Sequence, residues 1–192
     1  MNQKTAMKLF GLLGLLMLLS CGYADRHRNS SLCEQALVDS LEVRVQDSLF
    51  SNVHYSRSQL LEALTQTQDS LVYYRLLALY GKTFFVSSDF DSILYYNRRV
   101  KEFSRNASQS SESLQSPRWN DVLSDVYNIE GNVWMQLNRP DSAIIDYKKA
   151  YGYRLEGKKL HLLPDICINI ADAYLHRSDL AHTASYYRRA LF

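Results

Sequence analysis

The chain has 192 residues, 46% of them hydrophobic, with 14 Tyr but only 7 Gly and 3 Pro. So few chain breakers point to a mostly helical protein and exclude a sandwich, a barrel or a disordered chain. The formal charge of +2 comes from Lys4 and Lys8, in a stretch without acids up to residue 20; the remaining 20 basic and 20 acidic side chains balance, which disfavours nucleic-acid binding.

Residues 1–20 read as a secretory signal: Lys4 and Lys8 precede an apolar run from Leu9 to Leu19 that is too short to span a bilayer as a helix. Its end, Leu18-Leu19-Ser20-Cys21, resembles the lipobox of bacterial lipoproteins. Leu18 and Ser20 match that pattern, and Leu19 is larger than the usual residue. The resemblance implies cleavage before Cys21, diacylglyceryl attachment to its sulfur and N-acylation, which together anchor a protein to a cell membrane or outer membrane, facing periplasm or exterior. Cleavage after Ala24, at Gly22-Tyr23-Ala24, is the alternative. Residues 21–31 lack periodicity and read as a tether. The other cysteines, Cys33 and Cys167, leave a disulfide open, and no cysteine pair has metal-ligand spacing.

The spacing of Leu37, Leu41, Val45 and Leu49 predicts a helical stripe, Asn52 to Ser56 a break, and Gln59 to Thr65 a second helix. Residues 32–68 therefore read as a degenerate helical pair that caps the later helices. Asp69-Ser70 is an N-cap for a helix running to about Ser87 through Leu71, Tyr74, Leu77, Tyr80 and Phe84. Ser88-Asp89-Phe90 turns the chain, and Asp91 to Phe103 is the partner helix. Residues 104–118 are polar and Ser-rich, and read as a loop. Helices then follow over Trp119–Leu137 and Asp141–Tyr151, separated by Asn138-Arg139-Pro140. Gly152 to Leu163 connects to a helix opened by Pro164 and Asp165 and ending near His176. Arg177 to Leu180 turns into the last helix.

One segment recurs three times: Asp91–Val100, Asp141–Ala150 and Ala181–Ala190. Each has a small or apolar third residue, two basic residues near its end and then Ala or Val, and the final positions are spaced by 50 and 40 residues. Such a period means an array of repeats. The helix pairs resemble tetratricopeptide repeats. In 119–152 the resemblance rests on Tyr127, Gly131, Trp134, Ala143, Tyr147 and Ala150, with Glu130 at the usual Leu position. In 153–192 it rests on Cys167, Ile170, Ala171, Tyr174, Thr183, Tyr187 and Ala190. In 69–103 it rests on Leu77, Tyr80, Gly81, Phe84, Ile93 and Val100, with Asn97 replacing the aromatic. The implied fold is all-α, an α-solenoid of antiparallel helix hairpins. Gly81, Gly131, Ala143 and Ala171 would sit at helix crossings. Tyr147 and Ala150, like Tyr187 and Ala190, would fill the seams between pairs.

The five histidines have no second metal ligand at suitable spacing, and no Gly-rich phosphate loop or Gly-x-Ser-x-Gly elbow is present. No catalysis, metal or cofactor is therefore expected. Scattered acids read as solvated faces, and the pairs Lys148-Lys149 and Arg188-Arg189 as solvent-facing helix ends. The resemblance implies a groove lined by the first helices that binds an unknown protein or peptide. By position it would use Lys82, Phe85, Asn128, Asn132, Met135, Asp172 and His176. Asn128 and Asn132, one turn apart, would hydrogen-bond a peptide backbone. The expected function is a lipid-anchored interaction scaffold. The alternative is the sensory N-terminal part of a larger histidine kinase or transcription regulator, interrupted at Phe192, where an array end expects a polar cap.

Overall fold

The computed structural model describes residues 35–107 and 116–191, apart from 46 and 48–50. The readings on the signal, Cys21, the tether, Cys33, Leu49 and the centre of the Ser-rich stretch lie outside the described residues. Within them the fold is all helical, with no strand. Helix α1 covers 35–45. It is followed by α2 (Val53–Gln66), α3 (Ser70–Lys82), α4 (Phe90–Ala107), α5 (Pro117–Gln136), α6 (Pro140–Leu155), α7 (Leu163–His176) and α8 (Leu180–Ala190). Short 3-10 turns over Thr83–Ser87 and Leu160–Leu162 extend α3 and precede α7. Each helix from α2 onward packs on its neighbour in the chain, and α5 also touches α3 and α7. Among the described residues no helix is long and apolar enough to cross a membrane.

Local chemistry starts the helices, at Asp69 as expected and at Pro117 and Pro140 slightly before the expected starts. Asp69 accepts the N–H groups of Leu71 at 2.8 Å and Val72 at 3.3 Å, and Ser116 accepts that of Trp119. Pro117 and Pro140 occupy first turns, where no N–H partner is needed. Several boundaries differ from the sequence reading. Asn52 is an N-cap, not part of a break, because its side chain accepts the Tyr55 N–H, so α2 begins at Val53. Helix α4 continues through Ser104 into what the sequence reads as loop. The Ser104 hydroxyl accepts the indole N–H of buried Trp119 at 3.0 Å, and Phe103 stacks on Tyr74 at 4.0 Å, so tertiary packing overrides a weak local propensity. Helix α6 runs past Tyr151 to Leu155 because Arg154 is drawn into the interior.

The turns joining α3 to α4, α5 to α6 and α7 to α8 are built alike. Ser88, Asn138 and Ser178 are left-handed, with φ of 54°, 54° and 61°. Each donates its N–H to the carbonyl three residues back, while the next residue donates to the carbonyl five back: Asp89 to Phe84 at 3.1 Å, Arg139 to Trp134 at 2.8 Å and Asp179 to Tyr174 at 3.0 Å. This is a Schellman closure, which satisfies the last carbonyls of one helix and aims the next back along it. Four residues after each of these three donors comes the third position of the recurring segment, Ile93, Ala143 or Thr183, all buried.

Small residues face these segments. A Cβ on Gly131 would overlap the ring of Tyr147, and one on Gly81 would lie 2.9 Å from Cβ of Tyr96. Ala171 is fully buried, its carbonyl within 3.5 Å of the Thr183 hydroxyl. Tyr147 therefore packs within its own pair as well as toward the next, where it shares a core with Ile166, Ile170 and Tyr174. A second core joins Leu77 and Val100 to Trp119, Val122 and Val126, and a third joins Val38, Leu41 and Val45 to Leu60, Val72 and Leu76. In α1 the buried stripe is Val38, Leu41 and Val45, and Leu37 is exposed. A strict spacing of four precesses off a 3.6-residue helix, so steps of three and four hold the face. Leu137 is likewise exposed. Tyr187 is 37% exposed and Ala190 half-buried, unlike Tyr147 and Ala150, because no described helix covers the outer side of α8.

Two helical glycines make opposite predictions. At Gly152 a Cβ meets nothing within 4 Å, so Gly152→Ala should gain helix propensity and stabilise by about 0.5–1 kcal/mol. At Gly131 the Tyr147 ring must move, and overpacking of about 1–3 kcal/mol outweighs the same gain. Chemical denaturation of both variants checks this; a Gly131→Ala protein as stable as Gly152→Ala contradicts the close approach.

Candidate functional site

The side chains expected to line a groove are mostly engaged inside the fold. Asn128 accepts from Asn169 at 3.0 Å, linking α5 to α7. Asn132 accepts the Tyr147 hydroxyl at 2.7 Å, and Asp172 accepts that of Tyr187. Met135 packs on the α6–α7 core. Phe85 contacts Phe90 and the core of Ile93, Ile129 and Val133. The Asn128 and Asn132 oxygens, expected to hold a peptide backbone, thus serve the chain itself. Lys82 and His176 are different: His176 is exposed, and Lys82 lies on the wall of a cavity of about 390 Å³.

That cavity lies among α1, α3, α4, α5 and the connection before α7. Ala78, Leu79, Val122, Val126, Ile129 and Leu162 supply apolar lining, while Arg75, Arg118, Lys158 and Lys159 supply cations. Helix α1 is bound to this face by charge. Asp39 pairs with Arg75 at 2.6 Å and with Arg118 at 3.4 Å. Glu42 pairs with Lys159, and Gln35 accepts from Arg118 at 3.1 Å. Gln35, Asp39 and Glu42 form one helical stripe beside the buried Val38, Leu41 and Val45. One helix therefore caps the apolar end of α2 and α3 and also ties α3 to the start of α5 and the connection before α7.

Behind the cavity, Arg154 is 1% exposed and donates to Asp121 at 2.7 Å and to Asp125. The Asp121 carboxylate also accepts the backbone N–H groups of Lys158 at 3.0 Å and Lys159 at 3.2 Å. The buried guanidinium is balanced by two carboxylates, and the Asp121 carboxylate by backbone donors as well, although Arg154 Nε is buried without a hydrogen-bond partner. The sequence reading counts Asp121 among the scattered solvated acids and places Asp125 in the expected groove. Their partners stand 29 to 38 residues away, and no local pattern announces such a pair.

A second charged cluster lies across α4, α5 and α6. Glu130, where the repeat pattern places Leu, is 3% exposed and receives both of its bonds from Lys101 at 2.7 Å. The Lys101 and Lys149 ammoniums lie 5.2 and 5.0 Å from the ring centre of Tyr127, which stacks on Tyr153. Asp146 accepts from the Trp134 indole at 2.8 Å and from Lys149 at 2.9 Å. Lys148 donates to the Tyr174 hydroxyl at 2.8 Å. Lys148 and Lys149 are exposed, in keeping with their reading as a solvent-facing helix end, and each also bonds to a side chain of the fold. Burial raises the Glu130 carboxyl above its ordinary range, and the Lys101 bond and charge oppose that rise. Among the described residues no group of three or more His, Cys, Asp or Glu is placed to hold a metal ion. Cys167 is a buried thiol, its acidity lowered by burial.

No family model and no curated protein matches this chain.

Lys101→Met leaves Glu130 buried without its counter-ion, and should cost about 2–4 kcal/mol at neutral pH. A carboxyl whose folded-state pKa is raised opposes folding above that pKa, and the penalty vanishes below the unfolded value. Without Lys101 the rise is larger. The gap in melting temperature between variant and parent should therefore narrow as pH falls from 7 toward the ordinary glutamate range. A gap independent of pH would rule out Glu130 as its source.

Proposed function

We propose that the chain is a lipid-anchored scaffold built as a short α-solenoid of tetratricopeptide-like hairpins, and that it recruits a protein or peptide at the face formed by α3, α5 and α7. The observation that carries this reading is the threefold turn: the same left-handed residue and the same two backbone bonds at positions spaced by 50 and 40. Equal turns give successive pairs equal geometry, and stacked equal pairs present their first helices on one continuous face. A second periodic feature agrees with it. The Tyr147 hydroxyl reaches Asn132, and the Tyr187 hydroxyl reaches Asp172, each 15 residues back.

The charged stripe of α1 supports a polar, specific face: Arg75, Arg118 and Lys159 there already hold carboxylates. Anchoring rests on the lipobox-like Leu18-Leu19-Ser20-Cys21. One acyl chain alone holds a protein weakly, and the acyl groups expected on Cys21 hold it firmly. The role is binding, not catalysis, and no cofactor enters it.

The experiment places a photo-cross-linking amino acid at His176, exposed at the end of α7, and at Gly152, exposed on α6. A discrete adduct from His176 and none from Gly152 is the expected result. Equal adducts from both sites, or none, would remove the recruiting face. Metabolic palmitate labelling should be lost in Cys21→Ala; an unmodified mature N-terminus at Asp25 refutes the anchor.

A further inference from the structure

One difference among the repeats leaves a buried polar group without a partner. In the second and third pairs a tyrosine of the recurring segment donates to a side chain 15 residues back: Tyr147 to Asn132 and Tyr187 to Asp172. In the first pair the corresponding residues are Asn97 and Lys82, so the phenol is missing and its acceptor is an ammonium. Asn97 is 0% exposed, and its Nδ2 donates to the Val126 carbonyl at 3.1 Å. Its Oδ1 is buried without any hydrogen-bond partner. Asn97 and Lys82 both line the 390 Å³ cavity. No partner for the Lys82 ammonium occurs among the described residues.

The other end of the cavity carries a second unused group. Arg75 is 7% exposed and gives one Nη to Asp39, while its Nη1 is buried and unpaired. A buried donor or acceptor left unmade is costly, and such groups normally have a protein, water or ligand partner. Between the two ends the lining is apolar: Ala78, Leu79, Val126 and Ile129. From Arg75 to Gly81, which Asn97 faces, the axis of α3 rises by about 9 Å. The volume falls within the range of small-molecule sites.

We propose that this cavity binds a small aryl carboxylate bearing a hydroxyl, in the simplest case a phenolic acid. The ring lies on the apolar lining and supplies the aromatic that the first repeat lacks. The hydroxyl donates to Asn97 Oδ1 and accepts from Lys82, a dual role that a hydroxyl can fill. The carboxylate takes Arg75 Nη1, with Lys158 nearby as a second cation. The acids on the wall do not repel it strongly, because Asp39, Glu42, Asp121 and Asp125 are each held by a cation of the fold. This site goes beyond the scaffold reading and does not depend on it, since cross-linking at His176 reports a different place.

Calorimetric titration of the full chain in detergent micelles tests the site with 4-hydroxyphenylacetate, phenylacetate and tyramine. The first should bind with a Kd below about 1 mM. Phenylacetate, without the hydroxyl, should bind about tenfold more weakly, and tyramine, with a cation in place of the acid, should not bind. Asn97→Tyr restores the missing ring from within and should abolish binding while the protein melts no lower than the parent. Lys82→Met should weaken binding several-fold without moving the melting temperature. No heat with 4-hydroxyphenylacetate, as for a cavity filled only by water, overturns the proposal. So do equal affinities for all three probes, or undiminished binding in folded Asn97→Tyr or Lys82→Met protein.

Discussion

The ring of Tyr147 lies directly on the backbone of α5 at Gly131, and much of the central architecture depends on that contact. A bare backbone lets α6 approach α5 by the thickness of a methyl group. Ala143 and Ala150 can then be fully buried beside it, and Ser124 can donate to the Ala150 carbonyl at 2.9 Å. The same ring continues outward into the core shared with α7. One side chain thus sets the spacing within a pair and supplies surface for the next. Dispersion at such contacts is individually small and collectively large, so the arrangement depends on close fit more than on any single bond.

Charge plays a part that composition alone conceals. The balance of acids and bases looks like a solvated exterior, yet Glu130, Asp121 and Arg154 are buried, each with a partner from another helix. Such pairs add little net stability, because desolvation offsets attraction. They are demanding about geometry, however, since a displaced partner leaves a buried charge exposed to its full cost. The Asp121–Arg154 pair fixes the connection after α6, and the Lys101–Glu130 pair fixes the register of α4 against α5. Helix α1 adds a third connection of this kind, with Asp39 and Glu42 reaching across to α3, α5 and the segment before α7.

Departures from periodicity are where the molecule acquires individual character. Glu130 in place of an apolar residue is answered by Lys101 and remains a matter of packing. Asn97 in place of an aromatic is only half answered: one side of its amide is bonded and the other is not. In a close-packed interior a substitution either finds its complement or leaves room. The cavity beside Asn97, bounded by Lys82 and by the unbonded Nη1 of Arg75, is room of that kind.

The amino-acid sequence by itself determined that the chain is helical, where its turns fall and that it repeats. Few Gly and Pro, a capping residue such as Asp69, and the recurring segment at 100, 150 and 190 act through neighbours a few residues away, which a linear reading captures. It also marked Gly131 and Ala143 as crossing residues. Only the tertiary structure decided which acids are buried, that Asn128, Asn132 and Asp172 bond to other side chains of the fold, that α4 extends past Ser104, and that α1 reaches Lys159. Those outcomes depend on partners between 12 and 117 residues distant, brought together by packing. Periodicity can say that a face is buried, but not which charge on another helix will meet it there.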